Sequence, residues 1–162
     1  MKAEANMAQE IERKFLVRGD AWRTDNGTHI RQGYMHNDVN GTVRVRTKGA
    51  RAYLTIKGGL TGITRTEFEY EIPLEDANQM LDQLCHRPLI EKIRYEVHME
   101  DFTWEIDEFF GDNAGLVVAE IELEDENQDF PKPDWLGQEV SEDARYLNAN
   151  LVKKPYSQWR TE

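Results

Sequence analysis

Along most of the chain apolar and polar residues alternate one by one, the period of a strand whose two faces meet different surroundings. Read this way, the sequence predicts eight strands, over residues 10–17, 28–35, 42–48, 52–57, 65–72, 89–99, 102–110 and 116–124. Turn residues such as Gly41 and Gly49 sit between several of them. Eight strands with mostly short connections predict an antiparallel, meander-like sheet, and closing it into a barrel would remove its exposed edges. The period changes twice. In LEDANQMLDQLCH, residues 74–86, Ala77, Met80, Leu81 and Leu84 follow helical spacing behind an acidic first turn. SEDARYLNANLVKK, residues 141–154, reads as a second helix with Ser141 as N-cap and lysines at its end. PKPDWLG, just before it, reads as a loop. The expected class is mainly β with peripheral α.

Composition narrows the setting. A chain of 162 residues, 31% charged and 39% hydrophobic, has the size and balance of one globular domain. Its net charge of −11 argues against a nucleic-acid-binding surface. One cysteine, Cys85, cannot form an intrachain disulfide and suits the reducing cytoplasm. No apolar run approaches the length of a membrane span, so no membrane partner is expected. MKAEANMAQ, residues 1–9, lacks the apolar stretch of a signal peptide and reads as a loose leader before one domain over 10–162. His29, His36, His86 and His98 show no metal-ligand spacing. Trp135 and Trp159 read as packing anchors.

The charges then change the picture, because on strand after strand they share a face. Glu10, Glu12 and Lys14 lie opposite Ile11 and Phe15; Arg44, Arg46 and Lys48 lie opposite Val43 and Val45; Lys57 joins Thr55 opposite Leu54 and Ile56. Glu67, Glu69 and Glu71 oppose Phe68, Tyr70 and Ile72, and Lys92 and Arg94 oppose Ile93 and Tyr95. Glu105 and Asp107 oppose Trp104 and Ile106, and Glu120, Glu122 and Glu124 oppose Ile121 and Leu123. Two architectures satisfy this pattern. One buries the apolar faces and leaves the charges in water. The other turns the ionic faces inward to line a hydrated barrel, with helices and loops over part of the apolar outside. Among 31 acids in 162 residues, an isolated acid-x-acid pair arises readily by chance. Segregation by sign says more. Arg44/Arg46 and Lys92/Arg94 are purely basic, whereas Glu10/Glu12, Glu67/Glu69 and Glu120/Glu122 are purely acidic, and a surface built for solubility mixes signs. A lumen that grips a polyphosphate needs cations for phosphate oxygens and a carboxylate cluster for a hard divalent cation.

EIERKF, RVR, TIK, RTEFEYEI, EKIRY, EIDEF, AEIELE and GQEVSEDARYLN, in that order, resemble the CYTH superfamily, the triphosphate tunnel metalloenzymes. EIERKF is similar to its E-x-E-x-K signature, and the likeness covers nearly all of the chain after the leader. The resemblance implies an eight-stranded antiparallel closed barrel whose ionic faces point inward around a triphosphate-containing small molecule. It implies that Glu10, Glu12, Glu120 and Glu122 hold Mg²⁺ or Mn²⁺, with Asp107 a further candidate. Lys14, Arg44, Arg46, Lys57, Lys92 and Arg94 would contact phosphates, arginine as a planar fork and lysine as a point charge. Arg145, on the C-terminal helix, would reach in as a closing group. The catalytic set would comprise Glu67 or Glu69, orienting the attacking water, and Lys92. The chemistry implied is metal-assisted phosphoryl transfer. The superfamily also contains class IV adenylate cyclases, thiamine triphosphatases and RNA triphosphatases, but the sequence offers no recognisable adenine or ribose contacts. Its short start and its EVSEDARY tail look most like short bacterial members that hydrolyse inorganic triphosphate. Tripolyphosphatase activity is therefore expected, with a broader nucleoside triphosphatase or a non-catalytic polyphosphate-binding module as alternatives. On family grounds a homodimer is expected as well.

Overall fold

The computed structural model describes residues 8–159. All eight predicted strands form: β1 (Gln9–Val17), β2 (Thr28–Asp38), β3 (Gly41–Lys48), β4 (Arg51–Gly58), β5 (Thr64–Ile72), β6 (Ile90–Met99), β7 (Phe102–Phe109) and β8 (Val117–Leu123). They are antiparallel and run in the order β5-β4-β3-β2-β6-β7-β8-β1. Pairing of β1 with β5, Glu10 opposite Arg65, closes the barrel. Residues 1–7 of the expected leader lie outside the described residues. Gln9 already belongs to β1, and the Ala8 carbonyl accepts from the Glu67 amide at 2.7 Å.

Three expectations are corrected. The sheet is not a simple meander, since β2 pairs with β6 and β1 lies between β8 and β5. The cause is helix α1 (Leu74–Gln83), which carries the chain from β5 to β6 over the outside of β3 and β4. A ninth strand, β9 (Leu136–Glu139), forms where a loop was expected and pairs with the second half of β1. The approach is so close that a Cβ at Gly137 would stand 2.8 Å from the Leu16 carbonyl, which explains glycine there. The C-terminal helix, α2, is shorter than expected (Asn148–Lys153) and follows a 3₁₀ turn at Ala144–Tyr146. Ser141 caps no helix; its hydroxyl accepts from the Lys14 amide at 2.9 Å, a β1 donor that meets no strand there.

The apolar faces point outward and are covered unevenly. Ile11, Phe15, Trp104, Ile106 and Ile121 form one outer cluster, roofed by Trp22, Phe130 and Trp135 from the loops. Trp104 packs edge-on against Phe15 and Trp135 at 5.5 and 5.6 Å. Beneath α1, Val45 and Ala52 meet Ala77 and Leu81, whereas Leu84, predicted to share that face, falls past the helix end and is exposed. A third cluster lies inside. Tyr34, Ile90, Phe109 and Val118 occupy the same strand faces as the inward charges, and Tyr146, Leu151 and Val152 of the C-terminal segment pack on them. The interior thus passes from ionic to apolar along its length, and α2 stops it at the apolar end. Among the described residues no helix is long and apolar enough to cross a membrane.

Candidate active site

Alternation along the strands is what brings the charges inside. The lumen contains a cavity of about 220 Å³, far more than one water needs. Lys14 of β1, Arg44 and Arg46 of β3, Lys57 of β4, and Lys92 and Arg94 of β6 line it, each no more than 8% exposed. Glu10 and Glu12 of β1, Glu67 and Glu69 of β5, and Glu120 and Glu122 of β8 line it too. The β1–β8 register sets Glu12 opposite Glu122 and Lys14 opposite Glu120, which unites the two acid pairs as expected.

The cations differ in how fully they are paired. Arg94 donates to both oxygens of Asp107 at 2.7 and 2.9 Å and lies 3.3 Å from Glu105 and 3.4 Å from Glu120. Lys92 bonds Asp107 at 2.9 Å and the side-chain carbonyl of Asn148 at 2.8 Å. Lys57 bonds Glu10 at 3.0 Å, and Lys14 bonds Glu120 at 2.9 Å. Arg44 and Arg46, by contrast, share the single carboxylate of Glu69, at 3.7 and 3.4 Å, and the buried Nε of each has no partner among the described residues. Burial, with Arg44 and Arg94 nearby, brings Arg46 down to about 10. An anion between these guanidiniums would satisfy donors that otherwise cost free energy.

The carboxylates are crowded in turn. Burial, then Glu120 and Glu10, push the Glu12 carboxyl well above the ordinary carboxylate range. Glu120 is held well below that range: Lys14, a hydrogen bond from Glu12 and Arg94 outweigh its burial. Glu10 is likewise held at about 2, because Lys57 and Arg65 outweigh burial. Glu12 and Glu120 are thus pushed in opposite directions, Glu12 towards its neutral form and Glu120 towards its ionised one. Oxygen-only donors crowded in this way fit a hard divalent cation, which takes one or two carboxylates and completes its shell with water and phosphate. Among the described residues no three acidic, His or Cys side chains converge on one point, so the protein supplies a carboxylate pair rather than a closed cage.

Two expected residues stand elsewhere. Asp107 is 1% exposed and bound to Arg94 and Lys92, so it anchors cations and is not placed to ligate a metal. Arg145 does not line the lumen; its guanidinium pairs with Asp143 at 2.7 Å and lies over Trp159, 4.8 Å from the ring centre. The 3₁₀ turn directs it outward. Trp135 and Trp159 are packing residues, as expected. Several lining residues were missed. Parity puts Lys48 and Glu105 on the ionic faces, but their places near strand ends kept them out of the expected site; Arg65, on the face of Glu67 and Glu69, is the one that parity could have added. Asn148 and the fully buried Gln32 beside it offer no such signal, since neither is charged and Asn148 sits outside the strands.

A family model described as the CYTH domain matches residues 8–156. The chain is 56% identical to an inorganic triphosphatase of Acetivibrio thermocellus over 155 residues, covering 95% of this chain and 99% of that protein. It is 36% identical to an inorganic triphosphatase of Nitrosomonas europaea over 150 residues, covering 88% and 96%. The crystal structure of the inorganic triphosphatase NE1496 superposes with a TM-score of 0.62 at 32% identity, covering 88% of this chain and 93% of that one. With the closed barrel, the inward charges and a family match over nearly its whole length, the chain belongs to the CYTH family.

Proposed function

We propose that this protein hydrolyses the terminal phosphoanhydride of inorganic triphosphate inside its lumen. Water attacks the terminal phosphorus, the bridging P–O bond breaks, and orthophosphate and pyrophosphate leave. The observation that carries this reading is the under-paired, buried Arg44 and Arg46 facing a crowded carboxylate cluster across one small cavity. Inorganic triphosphatase is also what the 56%-identical relative is named. The lining is polar apart from Tyr34, Leu147 and Ala149, so it provides no apolar slot for a nucleobase.

Glu12 and Glu120, with Glu10 and Glu122 beside them, would hold Mg²⁺ or Mn²⁺. Such a cation, when bound, neutralises phosphate charge and acidifies a bound water. The chain's own residues do the rest. Arg44 and Arg46 grip the phosphate oxygens with planar forks, and Lys14 and Lys57 add point charges. Glu69 is occupied in steering the two guanidiniums and in accepting from the Thr55 hydroxyl at 2.9 Å, which suits it to positioning rather than to proton abstraction. Lys92 is better suited to the proton. Burial, opposed by Asp107 and reinforced by Arg94, brings it down to about 8. Its neutral amine is therefore more accessible near neutral pH than that of an ordinary lysine, which suits it to take a proton from water as attack proceeds.

The test is phosphate release by the purified protein with Mg²⁺ or Mn²⁺ from inorganic triphosphate, pyrophosphate, ATP and thiamine triphosphate. Metal-dependent turnover fastest on inorganic triphosphate and lost in Glu12→Ala is the expected outcome. Faster turnover of ATP would point to a nucleoside triphosphatase, and tight triphosphate binding without turnover to a binding module.

A further inference from the structure

Lys92 is held from two sides, and only one of the two partners belongs to the charged strands. Its Nζ bonds Asp107 on β7 and, at 2.8 Å, the Oδ1 of Asn148, the first residue of α2. That same oxygen accepts at 3.1 Å from the Nε2 of Gln32 on β2. Two donors fill both lone pairs of an amide oxygen. They also fix which way the amide faces, because flipping Asn148 would set its NH₂ against the Lys92 and Gln32 donors. The backbone behind it is fastened too: Asn37 Nδ2 donates to the Ala149 carbonyl at 2.8 Å, and Leu151 and Val152 are buried in the apolar end of the lumen.

The stereochemistry follows from counting positions on the nitrogen. A neutral amine has two N–H bonds and one lone pair. Asp107 and Asn148 take the two N–H bonds, and the remaining position, on a residue that lines the cavity, is left for the lone pair. Without Asn148, the amine could turn about its terminal C–N bond and present an N–H instead. A carbonyl oxygen suits this role because it accepts from the amine and the ammonium alike and adds no charge.

We infer that Asn148 is a positioning residue for Lys92, holding its Nζ so that the lone pair of the neutral amine faces the lumen, with Gln32 fixing the Asn148 amide. The inference rests on the reading that the lumen hydrolyses triphosphate with Lys92 handling the proton. It also gives the C-terminal segment a part in the chemistry beyond closing the barrel.

The experiment measures kcat and KM for inorganic triphosphate against pH in wild type, Asn148→Ala, Asn148→Asp, Lys92→Ala and the double variant Asn148→Ala/Lys92→Ala. Asn148→Ala should lower kcat by about 10–100-fold while KM stays within about threefold. In the Lys92→Ala background the same change should cost less than about twofold, because its only route of action is gone. Asn148→Asp, nearly isosteric, sets a carboxylate beside Nζ and should move the rising limb of the kcat–pH profile at least about one unit to alkaline pH. Asn148→Ala with wild-type kcat, a loss that repeats in full without Lys92, or an unmoved limb in Asn148→Asp overturns the inference. Should Lys92→Ala leave no measurable rate or Asn148→Ala not fold, the Asn148→Asp profile decides. Wild type that leaves triphosphate intact brings down the parent reading and this one with it; active wild type with an indifferent Asn148 brings down this one alone.

Discussion

On the β6–β7–β8 wall, Arg94 meets Asp107 through two bonds of 2.7 and 2.9 Å, with Glu105 and Glu120 within 3.4 Å. On β3, across the same cavity, Arg44 and Arg46 share one carboxylate at 3.7 and 3.4 Å and leave both Nε atoms unpartnered among the described residues. The arginines of the two walls are buried to the same degree, so desolvation costs them alike. What differs is compensation. The first wall is complete without a ligand and keeps its shape. The second is incomplete without one, and an anion gains there the bonds the protein has not made. A binding site of this kind needs both: a wall of satisfied charges fixes the geometry, and a wall of unsatisfied ones supplies the attraction.

The largest expected effect breaks the complete wall. Asp107→Asn leaves Arg94 and Lys92 without their shared carboxylate at a position 1% exposed, and losing one partner of a buried ion network costs about 3–5 kcal/mol. Urea unfolding at pH 7 should show it; a loss under about 1 kcal/mol would mean that Glu105 and Glu120 suffice for Arg94. Arg46→Ala acts on the other wall and should separate the two properties. Removing a crowded cation should change stability by less than about 1 kcal/mol, while kcat/KM for triphosphate falls about 100-fold, the scale of one lost donor to a developing charge. Arg46→Lys should recover only part of this, since the fork is lost. A large drop in stability with modest loss of activity would reverse the contrast between the walls.

The carboxylates sharpen the contrast through pH. Glu10, held at about 2 against an ordinary 4.5, binds fewer protons folded than unfolded, and Asp107 and Glu120 shift the same way. Their stabilisation is complete above about pH 4.5 and is lost as pH falls towards 2. Glu12 runs the other way: raised above 4.5, it favours the folded state at low pH and loses that contribution as pH rises through its folded value. Metal-free Glu12→Gln should therefore melt higher than wild type at pH 8, by about 2–4 °C for each kcal/mol relieved. Mg²⁺ should raise the wild-type midpoint more at pH 8 than at pH 5, because Glu12 must lose its proton to bind the metal. Scanning calorimetry in EDTA and in Mg²⁺ checks both; equal midpoints for the two proteins would mean that Glu12 ionises freely.

The two walls also mark how far the sequence could be read. Strand parity placed Arg44 and Arg46, and Lys92 and Arg94, on one face of their strands, but left open whether that face met lumen or solvent until the family resemblance decided it. Period two is a local property, so it survives without knowledge of the neighbours. Pairing between distant strands is not local. Nothing in EIDEF says that Asp107 spends both oxygens on Arg94 and Lys92, because that depends on the β6–β7 register. Gly137 and the short strand around it were hidden by PKPDW, whose prolines read as loop although the chain pairs immediately after them. Asn148 was invisible for a plainer reason: an uncharged residue at the start of a helix looks like any other until Lys92 is found beside it.

The smallest effect concerns the rim. Arg145 was expected to close over the phosphates, yet it stands 57% exposed, paired with Asp143 and stacked above Trp159. An exposed pair of this kind contributes about 0–1 kcal/mol, and a cation over indole about 0.5–1 more. Arg145→Ala should therefore cost no more than about 1–2 kcal/mol in urea and, with the guanidinium outside the lumen, less than about threefold in kcat/KM. A loss near that of Arg46→Ala would require the guanidinium to leave Asp143 and swing inward when triphosphate binds, adding a movable cation to the incomplete wall. Salt separates the two cases. A guanidinium that stays on the rim predicts the same ionic-strength dependence of KM in Arg145→Ala as in wild type, whereas one that engages substrate predicts a shallower dependence in the variant.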